Sequence, residues 1–301
     1  MISEAVFFTD ERRKTMKFYI VDVFAEAKYQ GNQLAVFIPE RDITKEEMLQ
    51  MAKEIHFSET TFILSDKQEN GGYDVRIFTP DIEVPFAGHP TLGTAHIINQ
   101  VFEGGKAEKI ILNLGAGQIP VVIEPNGNMT MSQNQPEFGM IVEDLKAVAD
   151  ALSINADDIR TDFPVQWVST GLESFIVPLK TVDAIERCTV NHPMRQKFID
   201  DYAACNILFF CQDKDGSLRV RTFMEDTGFL EDPATGSANG DLAAYLLKYN
   251  FFGKSKLNYR VSQGSEMGRP SVLNISCELT DGVYRIEVGG TSYTVSEGEW
   301  K

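Results

Sequence analysis

Hydrophobic and polar positions along the chain alternate between short β-type runs and longer stretches of helical spacing. The pattern is plainest from Arg76 to Asn99. Val75, Ile77 and Phe78 form a β-run, which breaks at Thr79-Pro80-Asp81 and again at Pro85. Ala87-Gly88-His89-Pro90 follows, and then Leu92, Ala95, His96 and Asn99 recur at helical spacing. Pro90 suits a first helical turn, where its missing N–H would have no partner anyway. Gly88 and His89 therefore fall where a new helix presents free backbone N–H groups and the positive end of its dipole, a geometry that binds anions. The stretch from Arg221 to Lys248 has the same layout. An Arg-containing strand breaks at Asp232-Pro233, turns at Gly236-Ser237-Ala238 and runs into a helix marked by Leu242, Ala243, Leu246 and Leu247.

The remaining pattern suggests that one module occurs twice. Lys17–Phe24 and Ala35–Pro39 are predicted strands around a Gly31-Asn32 turn. Thr44 and Glu47 make a capping box for a helix whose apolar face is Met48, Met51, Ala52 and Ile55. Thr60–Leu64 reads as a strand, which leaves Glu59 at a helix-to-strand corner. Strands are expected at 109–114, 118–124 and 129–131, the last two joined by an Asn126-Gly127 turn. Asn134 to Gly139 is the expected linker, and beyond it the pattern restarts. A helix on Leu145, Val148, Ala149 and Leu152, strands at 165–169, 175–179 and 206–211, and a helix at 191–202 follow. Their common offset from the first half is about 140 to 150 residues, as a duplication would give. Closing strands are expected at 277–279, 283–288 and 292–295, with Asp281-Gly282 and Gly289-Gly290 as turns. The fold class is therefore α+β with many antiparallel strands and one prominent helix per half, rather than a regular βαβ alternation. The expected domains are 17–133 and 140–289, with residues 1–16 an extension.

Composition narrows the function classes. A hydrophobic share of 43% and a charged share of 24% fit a soluble globular enzyme. The net charge of −16 argues against nucleic-acid binding, which needs clustered cations. No run of 18 apolar residues is available for a membrane helix. The opening segment has no apolar core of signal-peptide length and reads as a poorly ordered extension or an upstream start, with Met16 the expected first residue of the fold. Cys188, Cys205, Cys211 and Cys277 form no CxxC pair and no disulfide framework, which fits a reducing cytoplasm.

Glu59 is the leading catalytic candidate. Flanked by Phe57, Phe62 and Ile63, its carboxyl would be partly desolvated, which raises the pKa toward that of a useful general acid or base. The alternative is a Glu that accepts hydrogen bonds from Ser58, Thr60 or Thr61. His89 and Asp232 gain weight from their places ahead of the two helices, although a capping His and an Asp-Pro turn are the plain readings. Gly88, Thr91, Gly236 and Ser237 offer backbone and hydroxyl donors for a carboxylate or a developing enolate. Arg76 and Arg221 either hold an anion or form surface ion pairs. The chain contains no GxGxxG after a strand, GxxxxGK[ST], HExxH or GxSxG, and its four histidines lack metal-ligand spacing.

The blocks GNQLAVF (31–37), SETTFIL (58–64), RIFTPDIEVPFAGHPTLGTA (76–95) and EDPATGSANG (231–240) resemble the signature blocks of the PhzF (phenazine-biosynthesis) family, in the family's order. The resemblance covers the chain from about Lys17 to its end. It implies a diaminopimelate-epimerase-like fold: two pseudo-symmetric domains, each a barrel-like sheet around a central helix, with the active site between them. It further implies that the last strand, about 290–301, completes the first domain, and that the protein is a homodimer. By motif, Glu59 matches the family's acid/base carboxylate, His89 the histidine of AGHPT and Asp232 the aspartate of DPATGSA. Gly88 and Ser237 match the positions where epimerase and racemase relatives carry opposed cysteines. What remains implies a cofactor-free isomerase acting on a small carboxylate-bearing substrate; Gly88, Ser237, Gly236, Thr91, Asn32 and Arg76 are the expected binding residues, and no metal is expected. The competing reading is a non-catalytic ligand-binding or protein-interaction module on the same fold.

Overall fold

In the computed structural model, which describes residues 15–224 and 229–301, the β-runs of the first half become eight strands. They are Met16–Val23 (β1), Asn32–Ile38 (β2), Thr60–Ile63 (β3), Tyr73–Phe78 (β4), Glu83–Val84 (β5), Lys109–Leu114 (β6), Gly117–Ile123 (β7) and Met129–Ser132 (β8). Two helices interrupt them, Lys45–Ile55 (α1) and Gly88–Val101 (α2). Glu137–Val142 (β9) and Leu145–Leu152 (α3) lead onward to Val165–Ser169 (β10) and Glu173–Pro178 (β11). Next come Val182–Arg187 (α4), His192–Asp201 (α5), Asn206–Gln212 (β12), Leu218–Phe223 (β13) and Glu231–Asp232 (β14). Gly236–Lys248 (α6), Lys256–Gln263 (β15), Ser271–Thr280 (β16), Val283–Gly290 (β17) and Ser292–Trp300 (β18) finish the chain. Residues 1–14 of the expected extension lie outside the described residues.

The strand pairing of the first half is repeated in the second. β1 pairs antiparallel with β2, β2 parallel with β3 and β3 antiparallel with β4. β4 then meets β5 antiparallel and β6 parallel, and β6, β7 and β8 form a meander. Strands β10 to β17 pair in the same sequence and the same senses. β8 pairs with β17 and joins the two halves. Each half also takes up a strand from beyond its own end: β9 pairs with β10, and β18 pairs with β1 from Met16–Trp300 to Val23–Ser292. β9 begins inside the segment expected as a linker. Gly139 is there for close packing, since a β-carbon on it would stand 2.6 Å from Trp167 Cε3. Gly289 and Gly290, expected as a turn, lie within β17 for the same reason, a β-carbon on Gly289 falling 2.5 Å from Met129 O.

The two central helices are buried on almost every side. α2 is surrounded by strands of the first half and by β18, and α6 by β10, β11, β12, β16 and β17. A helix that is apolar all round needs such an enclosure, and small residues let the strands close on it. A β-carbon on Gly93 would lie 2.6 Å from Leu34 Cδ2 and 2.7 Å from Val23 Cγ2. Outside the sheet of the first half, α1 covers a cluster of Phe37, Phe62, Phe78 and Met48. Its start is fixed by Thr44, whose Oγ1 accepts from Glu47 N at 3.2 Å, and its end by His56 in the left-handed region (φ 57°). Among the described residues no helix is long and apolar enough to cross a membrane.

Candidate active site

α2 and α6 meet end to end. A β-carbon on Gly88 would lie 3.5 Å from Gly236 Cα and 3.6 Å from Ser237 N, so the two N-termini are nearly in contact. Neither first turn carries an acidic side chain, and neither N-cap residue, Ala87 or Thr235, caps its helix with a side chain. Backbone N–H groups at these ends are therefore left for an anion. Beside them lies a cavity of about 740 Å³, lined from both halves of the chain.

The sequence candidates Asn32, Glu59, Gly88, His89, Asp232, Gly236 and Ser237 all line this cavity. Glu59 stands where α1 has ended and β3 begins, with Phe57 and Ser58 beside it on the cavity wall. His89 is the second residue of α2, and Asp232 ends β14, just before the break at Pro233. Glu59 Oε2 and His89 Nε2 face each other at 3.5 Å, both buried and both without a hydrogen-bond partner among the described residues. Burial pushes the Glu59 carboxyl up to about 7, against a smaller opposing effect of the Ser58 hydrogen bond. Burial pushes His89 down to about 4, with the Asp232 charge and a hydrogen bond to the Gln33 backbone opposing it. His89 is therefore neutral near pH 7, and the 3.5 Å contact is not an ion pair there. Asp232 is raised to about 6, chiefly by burial. The His89 attraction lowers it, the Glu59 charge raises it, and hydrogen bonds from Thr235 and Asn32 lower it.

Asn32 ties the two halves together. Its Nδ2 donates to Asp232 Oδ1 at 2.7 Å and to Ala234 O at 3.2 Å, and lies 3.2 Å from His89 Nδ1. Thr235 Oγ1 donates to Asp232 Oδ2 at 2.7 Å, and Gln263 Nε2 bonds Asp232 O at 2.8 Å, so both carboxylate oxygens and the backbone of Asp232 are held.

Two expected binding residues are corrected by their placement. Arg76 lies away from this cavity, beside a separate depression of about 480 Å³, and forms a fork with Glu83 through Nε (2.7 Å) and Nη2 (2.8 Å). Arg221 forms the same fork with Glu231 at the same distances. Thr91 is fully buried and turns its hydroxyl back to Ala87 O at 2.8 Å, a local bond open to any helical Thr. Thr235, Gln263 and Arg269 escaped the sequence reading. Thr235 lies within the EDPATGSANG block, whereas Gln263 and Arg269 fall in no motif. Leu172, Met224, Phe229 and Met267 give the cavity an apolar side, and Arg269 is the one Lys or Arg among the described residues that line it. Among the described residues no group of three His, Cys, Asp or Glu side chains is gathered to hold a metal.

Two buried helices meeting end to end beside a cavity, on this repeated strand pairing, are the architecture of PhzF and proline-racemase-like structures, and the chain's isomerase relatives make it an isomerase. The chain belongs to the Phenazine biosynthesis-like protein family, which it matches over residues 21–298. An uncharacterized isomerase of Pasteurella multocida is 30% identical over 282 residues, 94% of this chain and 93% of that protein. The trans-2,3-dihydro-3-hydroxyanthranilate isomerase of Pseudomonas fluorescens is 32% identical over 289 residues, covering 93% of this chain and 98% of the relative. The crystal structure of a Bacillus anthracis phenazine biosynthesis protein of the PhzF family superposes with a TM-score of 0.86 at 26% identity, over 96% of this chain and 99% of that one.

Proposed function

We propose that the protein is a cofactor-independent isomerase that moves a proton between carbons of a small carboxylate-bearing substrate. The observation that carries this reading is the facing pair of buried, unpartnered atoms, Glu59 Oε2 and His89 Nε2, on the wall of one cavity. The substrate carboxylate rests on the N–H groups of Gly88, Gly236 and Ser237, where the positive ends of two helix dipoles add. Glu59, balanced between its two forms near pH 7, takes a proton from an acidic C–H as carboxylate and returns it to another carbon as acid. Neutral His89, Asp232 and Ser237 orient the substrate, and the N–H groups stabilise the enolate-like charge that develops. Gly88 and Ser237 supply no thiol, so the proton moves through a carboxyl group rather than between two opposed cysteines. The chain's own cysteines are all buried, and burial pushes Cys188 and Cys277 up to about 12 and Cys211 up to about 11, out of the thiolate range.

The name of the Pseudomonas fluorescens relative supports the substrate class, since a dihydro-hydroxyanthranilate is a ring-borne carboxylic acid. A cytoplasmic homodimer is part of the same proposal. The test is deuterium exchange in D2O with a panel of small cyclic and amino carboxylic acids, including that dihydro-hydroxyanthranilate, followed by NMR. Uptake or isomerisation by the wild type, lowered by a factor on the order of 10²–10⁴ or more in Glu59→Gln, is the expected result. Exchange undiminished in Glu59→Gln would remove Glu59 from its role. A ligand bound equally by both proteins without turnover would indicate a non-catalytic binding module.

A further inference from the structure

The connection between β15 and β16, residues 264–270, grips both sides of the cavity. Arg269 Nε donates to Gly31 O at 2.9 Å, and Nη2 donates to Gln30 O and to Asp22 Oδ1, each at 2.6 Å. Gly31 N in turn donates to Pro270 O at 3.0 Å. The turn held in this way contains two left-handed residues, Tyr29 (φ 71°) and Gly31 (φ 72°), and Asn32 is the next residue along. The turn is tight, since a β-carbon on Gly31 would come within 2.2 Å of Val23 O. On the other side of the cavity, Gly264 (φ 78°) packs so closely on Pro233 that a β-carbon would lie 2.5 Å from Pro233 O. One short connection thus fixes the backbone on both sides of the Asn32–Asp232 hydrogen bond.

Resting on the reading of the site given above, we infer that Arg269 is a positioning residue: it holds the turn at residues 29–31 so that Asn32 stays seated between His89 and Asp232. Its Nε and Nη2 edge is taken by two carbonyls and a carboxylate that is 2% exposed, so the guanidinium is built into the wall rather than presented as an anion anchor. A lysine at this position would keep a charge for Asp22 but could not reproduce the planar fork. Arg269→Lys is therefore the variant that folds while releasing the turn. Arg269→Ala also strands the buried Asp22 and is expected to be less stable.

The test needs no turnover, so it stands apart from the proton-transfer reading. The Asp232 carboxyl is titrated by ¹³C NMR in the wild type, in Arg269→Lys, and in Arg269→Ala with and without added guanidinium ion, with thermal melts in parallel. The expected result is a rise of the Asp232 midpoint by about one pH unit, tenfold in proton affinity, in both variants, because Asn32 no longer donates to the charged carboxylate. Guanidinium ion restores the midpoint in Arg269→Ala and leaves Arg269→Lys unchanged. An unmoved midpoint in folded Arg269→Lys would overturn the inference. Weaker binding of a benzoate probe with the midpoint in place would also overturn it, because Arg269 would then contact the ligand directly.

Discussion

Glu59 takes its character from its place in the fold as well as from its neighbours in sequence. It follows a left-handed helix end and precedes a strand flanked on both sides, which leaves it on the wall of the cavity with its side chain 20% exposed. Burial raises its pKa from the ordinary 4.5 to about 7, and that shift is also a statement about stability. In the unfolded chain the carboxyl ionises near 4.5, so this contribution to folding is fully present below that pH. It is lost as the pH rises through about 7, where the folded protein must carry a buried charge. Glu59→Gln carries no such charge. In urea denaturation the variant is expected to match the wild type near pH 4 and to exceed it at pH 8 by up to about 3 kcal/mol. Equal stability at both pH values would mean that the carboxyl is solvated. His89 works in the opposite sense: its depressed pKa keeps the ring neutral across the pH range where Glu59 titrates.

At the scale of elements, the ends of α2 and α6 carry the binding. Gly88→Ala places a methyl group 3.5–3.6 Å from the opposing helix, an ordinary contact, with Met131 Cε nearer at 3.3 Å. The fold should tolerate it after a small shift of Met131, but the methyl occupies space beside the N–H donors. Affinity for a carboxylate ligand is expected to fall about tenfold by calorimetry, equivalent to about 1.4 kcal/mol, with little change in melting temperature. Unchanged affinity would place the carboxylate elsewhere. These two helices were legible in the sequence because proline and glycine mark their starts, and α1 because Thr44 and Glu47 mark its cap. α4 was not read, since Val182–Arg187 is too short to display a period. The ranks of site residues were less legible. Arg76 and Arg221 sit on equivalent strands, but alternation does not tell which sheet face turns to the cavity, and Glu83 and Glu231 claim both. Arg269 left no local trace, because its partners lie 238 to 247 residues away.

For the whole molecule, the site exists because two halves with the same strand pairing are brought together. The repeated strand order was visible as a common offset, while the pairing of β18 with β1 and of β9 with β10 depends on contacts across nearly the whole chain or across the boundary between halves. Glu59, His89 and Asn32 come from the first half, and Asp232, Thr235, Gly236 and Ser237 from the second. The poise of Glu59 is therefore a property of the assembled molecule: phenylalanines 57 and 229 belong to opposite halves and share the wall that dries it. The most direct check is the ¹³C titration of the Glu59 carboxyl in the free, folded protein, assigned with Glu59→Gln. A midpoint near 7 is the result expected of a buried proton carrier facing a neutral His89. A midpoint near the ordinary 4.5 would contradict it and return Glu59 to the role of a solvated hydrogen-bond acceptor.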